Sequence, residues 1–279
     1  VSDTYAIEYH LDDLQVLGRA RLYSANSIVV HGTSGSDVMV VGGLLGTPSL
    51  DLGSVETLDL TDGQLEIRDF AGASLTSLSL DNSTVTMSGV VSIPTVTLSN
   101  NSLLRHGATT TTTAYGLDLT VDSLTIASGS RIDVSNRGYL GGYRSGNTAN
   151  GDAHPDGVEA GTGIGGSYGG LGGKASASAS YGDFRAPFEL GGGGDGNSTS
   201  RPGGNGGGRV HIVANSLTVD GQILSNGQDV ASNDVYASGG AGGAIWIETT
   251  TLSGTGEIAA DGGSPLYNTG NAYSAGGGG

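Results

Sequence analysis

No cysteine occurs in this chain of 279 residues. That excludes thiol catalysis, cysteine-ligated zinc, iron–sulfur clusters and disulfide staples together. Lysine is nearly missing too. Of 11 basic residues only Lys174 is a lysine, against 27 Asp and Glu, for a formal charge of −16. Nucleic-acid binding needs a basic face, so this balance argues against it, while an acidic surface by itself serves solubility. Aromatic residues make up 5% and apolar residues 36%, which is thin material for a multilayered core. No apolar run reaches the ~18 residues that would suggest a membrane span, so no membrane insertion is expected.

Glycine is what the chain has in excess: 53 residues, against a usual share of ~7%. A short pattern also recurs. It runs Leu58–Leu60 then Asp62–Leu65, Leu78–Leu80 then Asn82–Val85, and Val96–Leu98 then Asn100–Leu103. It returns at Leu124–Ile132, Leu217–Ile223 and Leu252–Ile258. Each copy is an alternating strand, a tight polar turn and a second strand. The first three copies start 20 and then 18 residues apart, a length that suits one coil of three short strands. Such a unit cannot bury its own apolar face and must stack on its neighbours. The corner residues Asp62, Asn82, Asn100 and Gly129 are types that accept a left-handed backbone.

The expected fold is therefore all-β: a right-handed parallel β-helix, a solenoid with long glycine-rich loop insertions. Residues 1–50 carry weaker strand patterns, including the apolar runs Ile28–Val30 and Val38–Val41, and are expected to start or cap the solenoid. Residues 51–279 form its body, with a glycine-rich insertion at 138–208 that holds 25 glycines in 71 residues. Such a stretch can be a flexible linker, and it can also fold, because glycine permits polyproline-II strands to pack closely. The aromatic residues scattered through the insertion argue for order along one flank of the helix.

The stretches Gly203–Ala214 with Leu217–Gly227, Gly239–Ile247 with Gly256–Gly263, and Tyr168–Lys174 with Tyr181–Asp183 carry a resemblance. They resemble the glycine-rich parallel β-helix modules of very large secreted and cell-surface proteins. The likeness covers about residues 115–279 and leaves out the first 50. It implies a right-handed parallel β-helix in an extended extracellular surface protein, and it brings no catalytic residue with it. The start at Val1 without methionine and the final tract Gly276–Gly279 read as cuts through a longer repetitive parent. Another coil is then expected to follow, in the same chain or from a self-associating neighbour.

Two classes of function remain. The first is a non-enzymatic structural or adhesive protein, a fibre, filament or adhesin segment, touching surface glycans through its loops. Tyr139, Tyr143, Tyr168, Tyr181, Tyr236, Tyr267 and Tyr273 are the candidate glycan contacts. A flat ring matches the C–H face of a sugar, and tyrosine is rigid and amphipathic; the same rings could simply seal the glycine loops. The second is a β-helical carbohydrate-active enzyme, a polysaccharide lyase or glycoside hydrolase. A hydrolase needs convergent carboxylates, for which the candidates are Asp118 with Asp122 and Asp133, Asp12 and Asp13 with His10, and Asp152 and Asp156 around His154. A lyase needs a basic residue and a cation, and neither Lys174 nor the scattered arginines are expected to cluster.

No cofactor is required. Calcium enters only through Gly32–Asp37, which resembles one turn of a calcium-binding repeat with Asp37 as ligand. It occurs once and carries Thr33 at its second glycine position, so it also reads as an ordinary turn before a buried strand. Three N-x-S/T triplets, at Asn82, Asn100 and Asn197, are candidate glycosylation sites.

Overall fold

The computed structural model describes residues 7–9, 14–23, 28–30, 37–52, 55–71, 75–148, 163–173, 180–230, 237–265 and 275–279. Among them are eighteen strands and no helix. The strands pair in parallel, with short antiparallel bridges such as Asp183 with Ala186. The architecture is all-β and compatible with a β-helix or solenoid.

Parallel pairing at a fixed sequence offset places like residues above one another. On one face Leu14, Val38, Leu58, Leu78, Val96, Leu124, Leu217 and Leu252 are in register from strand to strand. On a second face the column is Leu22, Leu45, Leu65, Val85, Leu104, Ile132, Ile223 and Ile258. A third face stacks Val91, Leu119, Ile212 and Ile247. Alternation along each strand turns these residues inward. Leu58, Leu78, Val96, Leu124 and Leu217 are at most 1% exposed, and burying such a side chain contributes roughly 1.5–3 kcal/mol.

The corners between the first and second faces have their own chemistry. Asp62, Asn82, Asn100 and Gly129 adopt φ of +51°, +46°, +51° and +82°, the left-handed conformation that lets one strand bend sharply into the next. Just inside them runs a buried serine ladder. The Gly63 N–H donates to Ser83 Oγ at 2.9 Å, Ser83 N–H to Ser102 Oγ at 3.1 Å, and Ser102 N–H to Ser130 Oγ at 3.1 Å. Amides that the turn would leave bare are thereby satisfied.

A glycine layer lies beside the ladders. Residues 203–208 bond to four other segments. Gly206 N–H donates to Tyr139 O, Gly191 N–H to Gly207 O, Gly207 N–H to Ala241 O, and Gln228 N–H to Asn205 O. A strand in a flat sheet has at most two such neighbours, so these segments form a bundle rather than another sheet. Side chains would prevent it. A Cβ built on Gly191, Gly206, Gly207 or Gly240 would overlap a backbone carbonyl of an adjoining segment.

His106 marks the seam between ladder and layer. It is fully buried. The geometry gives a neutral tautomer: Nδ1–H donates to Gly107 O at 2.6 Å, and Nε2 accepts the Arg209 backbone N–H at 3.2 Å. Burial lowers its pKa from 6.5 to about 4. Gly208 must be glycine here, since a Cβ would overlap the imidazole.

Candidate functional site

Outward positions of the third face alternate with its buried column. Register sets Asp118 beside His211 and His211 beside Trp246, residues that are far apart in sequence. The imidazole stacks on the indole at 4.2 Å between centroids, with the planes 22° apart. Phe188 meets the imidazole edge to face at 6.5 Å between centroids. The Arg209 guanidinium lies 3.7 Å from the Phe188 centroid, a cation–π contact, and donates to Asp118 Oδ2 at 2.9 Å. Gly116 makes room for that arginine, because a Cβ there would overlap the guanidinium.

A carboxylate only accepts, so His211 Nε2–H donates to Glu248 Oε1, at 2.9 Å. His211 Nδ1 then faces Asp118 Oδ1 at 3.7 Å, and that oxygen is buried without a hydrogen-bond partner. The result is an imidazole between two carboxylates, on a face that also offers a tryptophan, a phenylalanine and an arginine. Glu248 and Phe188 are exposed.

Next to this patch is a cavity of about 670 Å³, within the ~300–1,000 Å³ range of small-ligand sites. Tyr168, Tyr181, Asp183 and Phe184 form its walls, with Ile245 and Ile258 on its floor. Tyr168 and Tyr181 meet edge to face at 5.3 Å. The Tyr181 hydroxyl donates to Leu190 O. Burial raises the pKa of both phenols, so both stay neutral hydrogen-bonding groups.

The tyrosine candidates therefore differ in setting. Tyr168 and Tyr181 line the cavity, though Tyr168 is itself buried. Tyr139 is buried, and Tyr143 is half-buried on a turn with φ +57°. Tyr236, Tyr267 and Tyr273 lie outside the described residues. Asn82, Asn100 and Asn197 are all exposed. Asn82 donates to Asp62 and Asn100 to Asp81 along the corner. Asp37 sits on the strand Asp37–Val41 opposite Thr57, and its side chain lies outside the described residues. No group of three or more His, Cys, Asp or Glu able to hold a metal occurs among the described residues.

The three carboxylates considered for hydrolysis do not share one groove. Asp118 is held by Arg209 on the third face, Asp122 accepts from Asn215, and Asp133 pairs with Arg131 on the second face. The groups beside His10 and His154, together with Lys174, lie outside the described residues. The expectation that the arginines stay dispersed is corrected: Arg105, Arg131 and Arg137 line one cleft. Sequence reading also missed His211, Trp246 and Glu248 as a group. The usable signal was the outward parity of Arg209, His211 and Val213 against the inward Val210 and Ile212.

Compared with protein-family models, curated proteins and solved structures, the chain matches none of them.

Proposed function

We propose that this chain is a segment of a non-enzymatic extracellular protein, a fibre, filament or adhesin. In this reading it is built as a right-handed parallel β-helix with a glycine-rich insertion, and its third face contacts glycans. The observation that carries the reading is the aromatic patch of Trp246, His211 and Phe188 beside the cavity walled by Tyr168, Tyr181 and Phe184. Flat rings flanked by Glu248 and Asp183 suit a sugar's C–H face and its hydroxyls together. Self-association, or continuation in a longer parent chain, has separate support. Leu252 stands at the end of its described column, 55% exposed, and one more stacked rung would bury it.

Binding to an immobilised panel of neutral and acidic glycans tests this. Trp246→Ala should weaken the strongest interaction at least ~10-fold, which corresponds to about 1.4 kcal/mol, without shifting the melting transition by more than a few degrees. Unchanged binding in that variant would remove the patch from the proposal.

One observation favours the enzymatic alternative: the His211 imidazole lies between Asp118 and Glu248, a proton-transfer arrangement. Release of reducing ends or unsaturated uronate from a polysaccharide panel, abolished in His211→Ala, would establish that reading instead.

A further inference from the structure

Ten arginines are spread along an acidic chain, yet three of them meet on the second face. Leu103 and Arg131 are in register there. That brings Arg105 and Arg131 to neighbouring strands, and Arg137 folds back beside them to donate Nη1–H to His106 O at 2.7 Å. Two adjoining clefts, of about 390 and 320 Å³, share Arg105 and Arg137. Together they cross five strands, from Leu44 to Arg131. At ~4.8 Å per strand the length is roughly 19 Å.

Arg131 pairs with Asp133 at 3.4 Å. Arg105 and Arg137 have no carboxylate within ion-pair distance among the described residues. Arg105 spends Nε–H on Thr86 Oγ1 at 3.1 Å, which leaves both of its terminal nitrogens to fork a carboxylate. Burial, and then the neighbouring charge of Arg105, lower the Arg137 pKa to about 10. Asp133 and Glu66 offset part of this positive charge at Arg137, and an anion that joins the two guanidinium groups would offset the rest.

The rest of the cleft narrows the class of ligand. Gln64, Thr84 and Thr86 give it a polar floor, and Glu66 is its one acidic residue in the longer cleft. The strands beneath are paired on both sides, so an incoming peptide finds no free edge to extend. A linear polymer with hydroxyls and regularly spaced acid groups fits this floor better than a peptide does.

We infer that the cleft beside Arg105, Arg131 and Arg137 binds an acidic polysaccharide, whose carboxylate or sulfate groups are held by the guanidinium groups. This site is separate from the third-face patch and stands whether or not that patch binds glycans. Opposite charges at contact outweigh the chain's net repulsion only locally, since salt screens charge–charge interactions beyond ~8 Å at physiological ionic strength. Binding should therefore be weak and steeply salt-dependent.

The test is affinity electrophoresis and calorimetry of the whole chain with polygalacturonate, chondroitin sulfate, dextran and poly-glutamate. Either acidic polysaccharide should bind, with dextran and poly-glutamate at least ~10-fold weaker. Arg105→Gln and Arg131→Gln should each lower the affinity by ~10-fold at an unchanged melting temperature, and Arg201→Gln, outside both clefts, should leave it unaltered. The balance between the polygalacturonate and chondroitin sulfate arms identifies the acid group. Failure of both acidic polymers to bind, equal binding of poly-glutamate, or full affinity in both cleft variants would each overturn the inference.

Discussion

A methyl group added at Gly206 would overlap the Gly191 carbonyl, whereas one added at Gly278 would find its nearest neighbour 3.9 Å away. Backbone cannot retreat as a flexible side chain can. Gly206→Ala should therefore destabilise the chain by about 3–5 kcal/mol, in the range reserved for severe defects, and Gly278→Ala by little, both read from urea midpoints. His106 gives the second residue-scale prediction. Its pKa is lowered from 6.5 to about 4 by burial, so protonation favours the unfolded chain. The stability tied to the neutral ring is complete above pH ~6.5 and is lost as pH falls towards 4, about 3 kcal/mol in all. Carboxylates titrate over the lower part of this window too. The comparison is therefore with His106→Gln, whose urea midpoint should fall less between pH 7.5 and 4.5. Neither residue announced itself in sequence. Gly206 sits in a tract that also reads as linker, and His106 follows an ordinary alternating strand.

At the scale of elements, the column residues were legible because strand alternation and a repeat of 18–20 residues both speak through local sequence. Leu58, Leu78, Val96, Leu124 and Leu217 occupy one buried column. The left-handed corners at Asp62, Asn82 and Asn100 follow from the same local signal. The serine ladder behind those corners was less visible, since Ser83, Ser102 and Ser130 look like any turn serine until register stacks them. Ser102→Ala would strip the acceptor from the Ser83 N–H in a fully buried position. The expected cost is about 1–3 kcal/mol, again measured by urea unfolding. The third-face site was illegible for a different reason. Asp118 and Arg209 are 91 residues apart, and the glycine-rich stretch between them hides the register that joins them.

Over the whole molecule, two kinds of order coexist. The ladders are specified by apolar side chains stacked in columns, such as Leu60, Leu80, Leu98 and Ile126 beside the Leu58 column. The glycine bundle is specified by the lack of side chains and is joined through backbone groups. Charge divides as well: the formal −16 is a property of the surface at large, while Arg105, Arg131 and Arg137 concentrate positive charge in one cleft. Raising salt should thus leave stability nearly unchanged while abolishing any binding at that cleft. Melting curves and affinity measured side by side between 50 and 500 mM salt, values chosen to take the Debye length from above to well below ~10 Å, would check this.

The four-neighbour arrangement of residues 203–208 also sets the order in which the molecule can form. The early rungs close short loops, the Gly63–Ser83 contact spanning 20 residues, although the later rung that joins Asp122 to Asn215 spans 93. The bundle closes long ones, such as the 64 residues between Gly141 and Asn205. Loop-closure entropy makes the longer step dearer by only about 1 kcal/mol. A segment with four partners, however, gains most of its bonds only after all four have arrived. Zipping of rungs should therefore come first, as a fast phase, and locking of the glycine segments last, as a slow cooperative one. In pulse-labelled hydrogen exchange during refolding, the amides of Leu78–Leu80 should gain protection before those of Gly191, Gly206 and Gly207. Simultaneous protection would mean that ladder and bundle nucleate as a single unit.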